Sequence, residues 1–288
     1  MINDHAQSFT LPQIRGDLGG TSENTTLEGL LTSLRATGSL YANAGYVHIP
    51  FCFHKCHYCD FYSIVDNLDR EEAFVRRMMS EIEVVGPNIL RGLSSIFVGG
   101  GTPTLMTVDS WSRLLPVIRE HLPLAPDGEW TMEANPETMT DELAACLVAG
   151  GVNRISVGAQ SFDPRHLKTL ERWHDPVNVG RAVTAFRDAG IGSINVDLIF
   201  GIPGQTLNDW HRDLDRVLEL KPDHLSCYAL TYEPNTAMTA RMNAGRFEPI
   251  DEDIEADMFL ATMERLRGAG FEHYEISNWA RPGHACRH

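Results

Sequence analysis

The chain has 288 residues, 43 % of them hydrophobic, which is enough to bury one substantial core at a length where α/β barrels form a single domain. A formal net charge of −15 repels phosphate backbones and anionic lipid, so neither a nucleic-acid partner nor a polybasic membrane anchor is expected. No stretch approaches the roughly 18 to 20 apolar residues of a membrane span, and the opening MINDHAQSFTLPQIRGDLGG has no basic segment followed by an apolar run, so a cytoplasmic protein is expected.

Residues 1–45 are polar and rich in Gly, Thr and Ser, predicting an extension of low order with one short helix around LEGLLTSLRA. Short β-branched runs then recur at YVHIPF (46–51), SSIFVGG (94–100), EWTMEAN (129–135), RISVGAQ (154–160), SINVDLIFG (193–201) and HLSCYAL (224–230), predicting six strands. Helical patterns separate them. In DREEAFVRRMMSEIEVVG, Asp69 is placed to cap with Glu72, while Phe74, Met78, Ile82 and Val85 share one face. Pro116 in TVDSWSRLLPVIREHL predicts a kink or an early stop. Asp175 and Pro176 open the next-but-one helix and Gly190 closes it; a later one starts at Thr206 and stops before Pro222. Strand–helix units joined by short loops imply parallel strands with right-handed crossovers, here an open, partial (β/α)6 barrel over residues 46–248. Residues 249–288 break that rhythm and predict a helix followed by the beginning of a C-terminal domain, truncated at His288.

Three of six cysteines, Cys52, Cys56 and Cys59, crowd into FCFHKCHYCDF, whereas Cys146, Cys227 and Cys286 lie far apart. Without a secretory signal, such crowding points to a metal site and not to a disulfide framework. Three thiolates on a [4Fe-4S] cluster leave one iron open, and an open iron can chelate the amino and carboxylate groups of S-adenosylmethionine, whose sulfonium an electron from the cluster then cleaves. The plainer alternative is a Cys3His zinc site completed by His48, His54 or His57. The loop follows the first strand, and barrel chemistry gathers at the C-terminal ends of strands. Cys146, in DELAACLVAG, and Cys227, in a strand, are expected to be small buried hydrophobes.

The other strand ends carry polar residues. The glycines of FVGGGTPT let backbone approach a ligand and present N–H groups to it, although a tight turn needs glycines too. Glu133, Gln160 and Asp197 face the same mouth. Each also has a structural role open to it, as a helix cap, a partner of backbone groups and a partner of an arginine respectively.

YVHIPFCFHKCHYCDF, with its C-x3-C-x2-C spacing and the aromatic before the last cysteine, resembles the radical-SAM signature of the oxygen-independent coproporphyrinogen III oxidase family and its haem-chaperone relatives, a likeness that runs from Tyr46 to the end of the chain. The resemblance implies that Gly100, Gly101 and Thr102 meet the methionine part of S-adenosylmethionine. It further implies that Tyr46, Gly100 and Glu133 contact one such molecule, while Tyr58, Gly101, Thr102, Gln160, Arg172 and Asp197 match positions that contact a second molecule in the oxidase. A chaperone need not bind that second molecule. Arg172 follows Gln160 by twelve residues, as in the family; its guanidinium can instead clamp a carboxylate. The oxidases carry a further cysteine where this chain has Phe61, and C-x3-C-x2-C-x-F is the chaperone pattern. The closing YEISNWARPGHACRH resembles the chaperone segment leading into an HNxxYW haem-binding motif, of which His288 is then the first residue. Implied, therefore, is a haem chaperone that binds haem and delivers it to target proteins such as respiratory haem enzymes, with an electron donor wherever S-adenosylmethionine is cleaved. The alternative is oxidative decarboxylation of coproporphyrinogen III to protoporphyrinogen IX.

Overall fold

The structure, a computed structural model, describes residues 42–65, 68–89 and 92–288. The predicted helix around LEGLLTSLRA lies outside the described residues. All six predicted strands form, as β1 (Ala44–Ile49), β4 (Leu93–Gly100), β5 (Leu124–Ala134), β6 (Arg154–Gln160), β7 (Ser193–Phe200) and β8 (His224–Ala229). They pair in that order and all in parallel. Two further short strands, β2 (Phe51–Cys52) and β3 (Ile64–Val65), pair with each other.

Helices α1 (Glu71–Val85), α2 (Val108–His121), α3 (Asp141–Gly150), α4 (Pro164–Leu170), α5 (Pro176–Ala189), α6 (Leu207–Glu219), α7 (Ala237–Asn243) and α8 (Glu252–Gly268) fill the connections. Their polar starts stop orphan amide groups from going unpaired. Thr140 accepts from Leu143 N, Asp175 from Val177 N, and Thr206 forms a reciprocal capping box with Asp209. Gly190 takes the left-handed conformation at the end of α5. These ends fall where the sequence places them.

One expectation needs correction and another is narrowed. The N-cap of α1 is Arg70, whose side chain makes no capping bond, and the helix begins at Glu71, so Asp69 stands one residue before the cap position. Glu71 is instead buried, and its Oε1 accepts from Thr107 N (2.7 Å) and Thr107 Oγ1 (2.9 Å), tying α1 to the start of α2. Glu72 pairs with Arg113. Of the two outcomes open at Pro116, the early stop does not occur: α2 runs on to His121. An interior proline costs a helix about 3 kcal/mol; burial of Leu114, Leu115 and Ile118 on the same helix offsets it.

Residues 249–288 extend the same sheet. Helix α8 packs on α6, where Trp210 Nε1 donates to Thr262 Oγ1 (2.9 Å) and Met258 O (3.1 Å). The chain then returns as β9 (Glu272–Glu275) and β10 (Asn278–Ala280), with β10 antiparallel to β8 and β9 outermost. Trp279 is buried in the main core.

Both faces of the parallel strands are covered, yet the two faces differ in character. Ile155, Val157, Ile194, Val196, Leu225 and Cys227 join the apolar core. The alternate residues are polar: Arg154, Ser156, Ser193, Asn195, Asp197, His224 and Ser226. The last residues of the chain lie along this polar face. His284 Nδ1 is 3.1 Å from Ser193 Oγ on β7, Cys286 Sγ donates to Glu129 Oε1 on β5 (3.4 Å), and the His288 ring stacks on Phe97 of β4 at 4.4 Å. Five residues thus reach from β7 to β4, four strands across; the sheet curves around them, with the polar face inward. Among the described residues, no helix is long and apolar enough to cross a membrane.

Candidate cofactor site

The cysteines sit on a loop pinned at both ends. Ile64 N donates to Pro50 O (2.8 Å), and the β2–β3 pair closes the segment between Cys52 and Ser63. Inside it, Cys59 N donates to Cys56 O (3.3 Å), and Lys55 Nζ donates to Phe61 O (2.6 Å) and Ser63 Oγ (3.0 Å). Neighbouring elements brace it from outside. His57 N donates to Leu170 O at the end of α4, Met238 N of α7 donates to His57 O (2.8 Å), and Arg241 Nη1 donates to His57 Nδ1 (2.9 Å). Burial pushes the Cys59 thiol up and the Phe61 N–H opposes that, while Cys56 and Cys52 add to the rise and Lys55 lowers it.

Ligands around one tetrahedral zinc, at about 2.3 Å each, lie roughly 4 Å apart. Among the described residues, the group of ligand atoms mutually within 4.8 Å is Asp163, His166 and Asp209, and it contains none of the cysteines. Two of the histidines near the loop are engaged, His48 Nε2 lying 2.9 Å from Tyr62 O and His57 taking the Arg241 bond, whereas His54, its ring 5.3 Å from that of Trp173, has a buried Nε2 with no hydrogen-bond partner. Among the described residues, no Cys3His set is gathered at zinc spacing. Three thiols spread around one mouth suit separate corners of a four-iron cube. Two of the sulfurs face donors, Thr102 Oγ1 at 3.9 Å from Cys52 Sγ and Arg172 Nη1 at 3.9 Å from Cys56 Sγ, as thiolate acceptors require. The residues present fit a cluster.

Gly100–Thr102 form the floor of the mouth, though not in the manner expected. Their N–H groups are already engaged: Gly100 N donates to Glu133 Oε2 (3.1 Å), Gly101 N to Ile49 O (2.7 Å) and Thr102 N to Phe51 O (2.7 Å). The space vacated by the missing side chains is also taken. A Cβ on Gly101 would meet Phe51 O at 2.5 Å, and one on Gly100, whose φ is +117°, would meet the His48 ring at 2.5 Å. The glycines let β4 press against the strand that carries Cys52. Gly101→Ala is expected to cost about 1–3 kcal/mol of stability, read as a drop in melting temperature, because the opposing atom is backbone and cannot rotate away.

Glu133, at the end of β5, is pushed up to about 7 by burial first and the Asp197 charge second, with the Gly100 N–H opposing. The helix-cap role open to it is not taken. Burial also pushes Asp197 up, opposed by hydrogen bonds from Ser156, Asn195 and Ser226; Ser156 Oγ donates to Oδ2 (2.9 Å) and Asn195 Nδ2 to Oδ1 (2.7 Å). Gln160 ends β6 with a left-handed backbone (φ +65°) where the register with β7 slips, which turns the strand out at the mouth. Tyr58 packs beside the smaller apolar cluster around Leu170 and Ile199. Arg172 donates through Nη2 to Gly158 O (2.5 Å) and, among the described residues, clamps no carboxylate.

Tyr46 and His288 are exposed and lie to one side of the cysteine loop. The Tyr46 hydroxyl is pushed up to about 12 by burial, with the Glu133 charge adding. Rings follow in succession from His288 through Phe97 (4.4 Å), Tyr46 (6.1 Å) and His48 (5.9 Å) to Tyr62 (5.8 Å) on the cysteine loop. His288 thus reaches the site through rings and not through direct contact with the cysteines.

Several interior residues were not singled out from the sequence. Asn195 holds Asp197 from one side, and His224 Nδ1 lies 2.7 Å from Asn195 Oδ1 while its Nε2 lies 2.8 Å from Tyr274 Oη. Burial lowers His224 to about 3, so the ring stays neutral. The signal was present in the polar residues at every second position of β6, β7 and β8.

Elsewhere, Asp163, His166 and Asp209 form a clamp between α4 and α6. Arg165 forks Asp163 (3.0 and 2.6 Å) and reaches Asp209 (3.0 Å), Arg212 also donates to Asp209, and Thr206 fills its other oxygen. The carboxylate lone pairs face protein donors, leaving none for a cation. Cys227 is buried as expected; Cys146 is only partly buried, at the core edge.

A strand-by-strand parallel barrel with three cysteines on the loop after its first strand defines the class: the Radical SAM superfamily profile matches residues 46–217, and the chain belongs to that superfamily. The heme chaperone HemW of Mycobacterium tuberculosis is 38 % identical over 250 residues, covering 84 % of this chain and 63 % of that protein. HemW of Escherichia coli K12 is 39 % identical over 248 residues, covering 84 % and 64 %. The solved structure of the coproporphyrinogen III oxidase HemN from Escherichia coli, a radical SAM enzyme, superposes with a TM-score of 0.78 at 27 % identity, covering 90 % of this chain and 59 % of that one. The methyltransferase TsrM from Kitasatospora setae, at 19 % identity, a TM-score of 0.56 and coverage of 70 % and 39 %, shares the fold. The chain spans just under two thirds of the length of these HemW relatives.

Superfamily membership implies a [4Fe-4S] cluster and S-adenosylmethionine. When bound, they supply one-electron reductive cleavage of a sulfonium. The protein's own contribution is to hold three sulfurs on a braced loop, to direct Thr102 and Arg172 at two of them, and to keep Glu133 and Asp197 half-buried at the same mouth.

Proposed function

We propose that this protein is a radical-SAM haem chaperone that binds haem and passes it to haem-accepting target proteins. The observation that carries it is 38–39 % identity to HemW over 84 % of the chain, and Phe61 in place of the further cysteine of the oxidases agrees with it. Cys52, Cys56 and Cys59 ligate the [4Fe-4S] cluster. Tyr46, Gly100 and Glu133 contact S-adenosylmethionine bound to its open iron, and Tyr58, Gly101, Thr102, Gln160, Arg172 and Asp197 complete the mouth. His288 is a haem ligand. Residues 46–248 form the radical-SAM barrel, 249–288 open the haem-chaperone region, and 1–45 are an extension. The protein works in the cytoplasm, with an electron donor wherever S-adenosylmethionine is cleaved.

Haemin titration of the full chain, followed by the Soret band, tests this. The parent is expected to bind haemin and His288→Ala to bind at least tenfold more weakly; unchanged affinity in the variant removes His288 as a ligand, and no binding by the parent removes the chaperone function. The TM-score of 0.78 to HemN favours a second reading, oxidation of coproporphyrinogen III. Anaerobic incubation with coproporphyrinogen III, S-adenosylmethionine and a reductant separates the two. Protoporphyrinogen IX formation would overturn the chaperone assignment.

A further inference from the structure

We infer that Arg172 sets the reduction potential of the cluster by acting on Cys56, and that this role is independent of S-adenosylmethionine. The inference rests on the cluster assignment above. Arg172 follows α4, and its guanidinium turns inward beneath the cysteine loop. Nη2 donates to Gly158 O at 2.5 Å, Nη1 points at Cys56 Sγ at 3.9 Å, and Nε is buried with no hydrogen-bond partner. Gly158 makes room for it: a Cβ there would lie 3.2 Å from Nη2. One arm of the guanidinium is therefore fixed to strand β6, which aims the other at the sulfur.

A guanidinium taken out of water costs several kcal/mol unless an anion compensates. Among the described residues, no carboxylate lies within ion-pair distance of Arg172; Tyr58 and Asp197 act on it electrostatically without a direct bond, and the Cys56 sulfur is the group able to carry negative charge that its guanidinium meets directly. A thiolate-ligated cluster is that anion. Reduction adds one electron and no proton, making the cluster one charge more negative. A buried cation beside a ligating sulfur then stabilises the reduced state more than the oxidised one, as N–H groups directed at ligating sulfurs do. Arg172 accordingly raises the potential, easing electron entry from a low-potential one-electron donor.

A side chain that served only to contact S-adenosylmethionine would leave the potential of the cofactor-free protein untouched, and this separates the two roles. The full chain is reconstituted anaerobically, its iron and sulfide are measured, and the midpoint is determined by redox titration monitored by electron paramagnetic resonance without S-adenosylmethionine. Lack of iron and sulfide in the parent removes the cluster assignment itself. With the cluster in place, Arg172→Gln is expected to lower the ratio of reduced to oxidised cluster at least tenfold at fixed potential, a negative shift of about 59 mV for one electron. Arg172→Lys, which keeps the charge but cannot span Gly158 O and Cys56 Sγ at once, is expected to fall between. A parental midpoint in Arg172→Gln overturns the inference. Should that variant hold no iron, Arg172→Lys decides, and a parental midpoint there overturns it.

Discussion

Replacing Cys56 with alanine is expected to abolish the iron–sulfur chromophore, taking bound iron from about four atoms per chain to near zero. Most of the other polar groups around the loop are already engaged. His57 is held by Arg241, His48 lies against Tyr62 O and Tyr46 Oη, and Lys55 is committed to Phe61 O and Ser63 Oγ. The change also strands Arg172 without its sulfur partner, so loss of stability accompanies loss of metal. Cys52→Ala and Cys59→Ala are expected to do the same. Cys146→Ala, at the core edge far from the loop in sequence, is expected to keep the parental iron content. Iron and acid-labile sulfide analysis with the visible spectrum checks all four variants, and a Cys56→Ala protein that keeps its colour would refute the ligand set.

Glu133 gives the second large effect. Its carboxyl is about 4.5 when unfolded and about 7 in the folded protein. The folded state therefore holds a proton that the unfolded state has released between those two values. The stabilising contribution of the neutral carboxyl is complete below about pH 4.5 and is lost as pH rises through 7. A displacement of this size corresponds to roughly 3 kcal/mol. Glu133→Gln, permanently neutral, is expected to be more stable than the parent at pH 8 by up to that amount and to match it near pH 4.5. Urea unfolding of the cluster-free protein at both pH values measures the difference. Equal stability at pH 8 would show that the carboxylate is ionised in the fold at little cost.

The strands were legible because their residues are β-branched in short runs bounded by turn residues, and because helix ends such as Asp175–Pro176 and Thr206 carry their own caps. The early stop allowed for at Pro116 does not occur because propensity is local, while the burial of Leu114 and Ile118 that overrides it is set by the sheet beneath. Asp69 misled because Glu71, one residue past the true N-cap, is recruited by Thr107 thirty-six residues away. The cysteine loop was readable as a spacing, and Glu133, Gln160 and Asp197 as polar strand ends. The glycines were read as facing a ligand, yet the atoms that require them belong to Phe51 and His48, a contact between strands that spacing does not encode. The same holds for Arg172, whose distance from Gln160 is plain in the sequence and whose contact with Cys56, 116 residues earlier, appears only in the folded chain.

The central claim is an iron left without a thiolate at the mouth formed by Cys52, Cys56 and Cys59. Its most direct measurement is the electron paramagnetic resonance spectrum of the reduced, anaerobically reconstituted chain before and after adding S-adenosylmethionine. A four-iron signal whose g-values move on addition is the predicted result. A spectrum that does not respond, or protein that carries zinc and no sulfide, would contradict it.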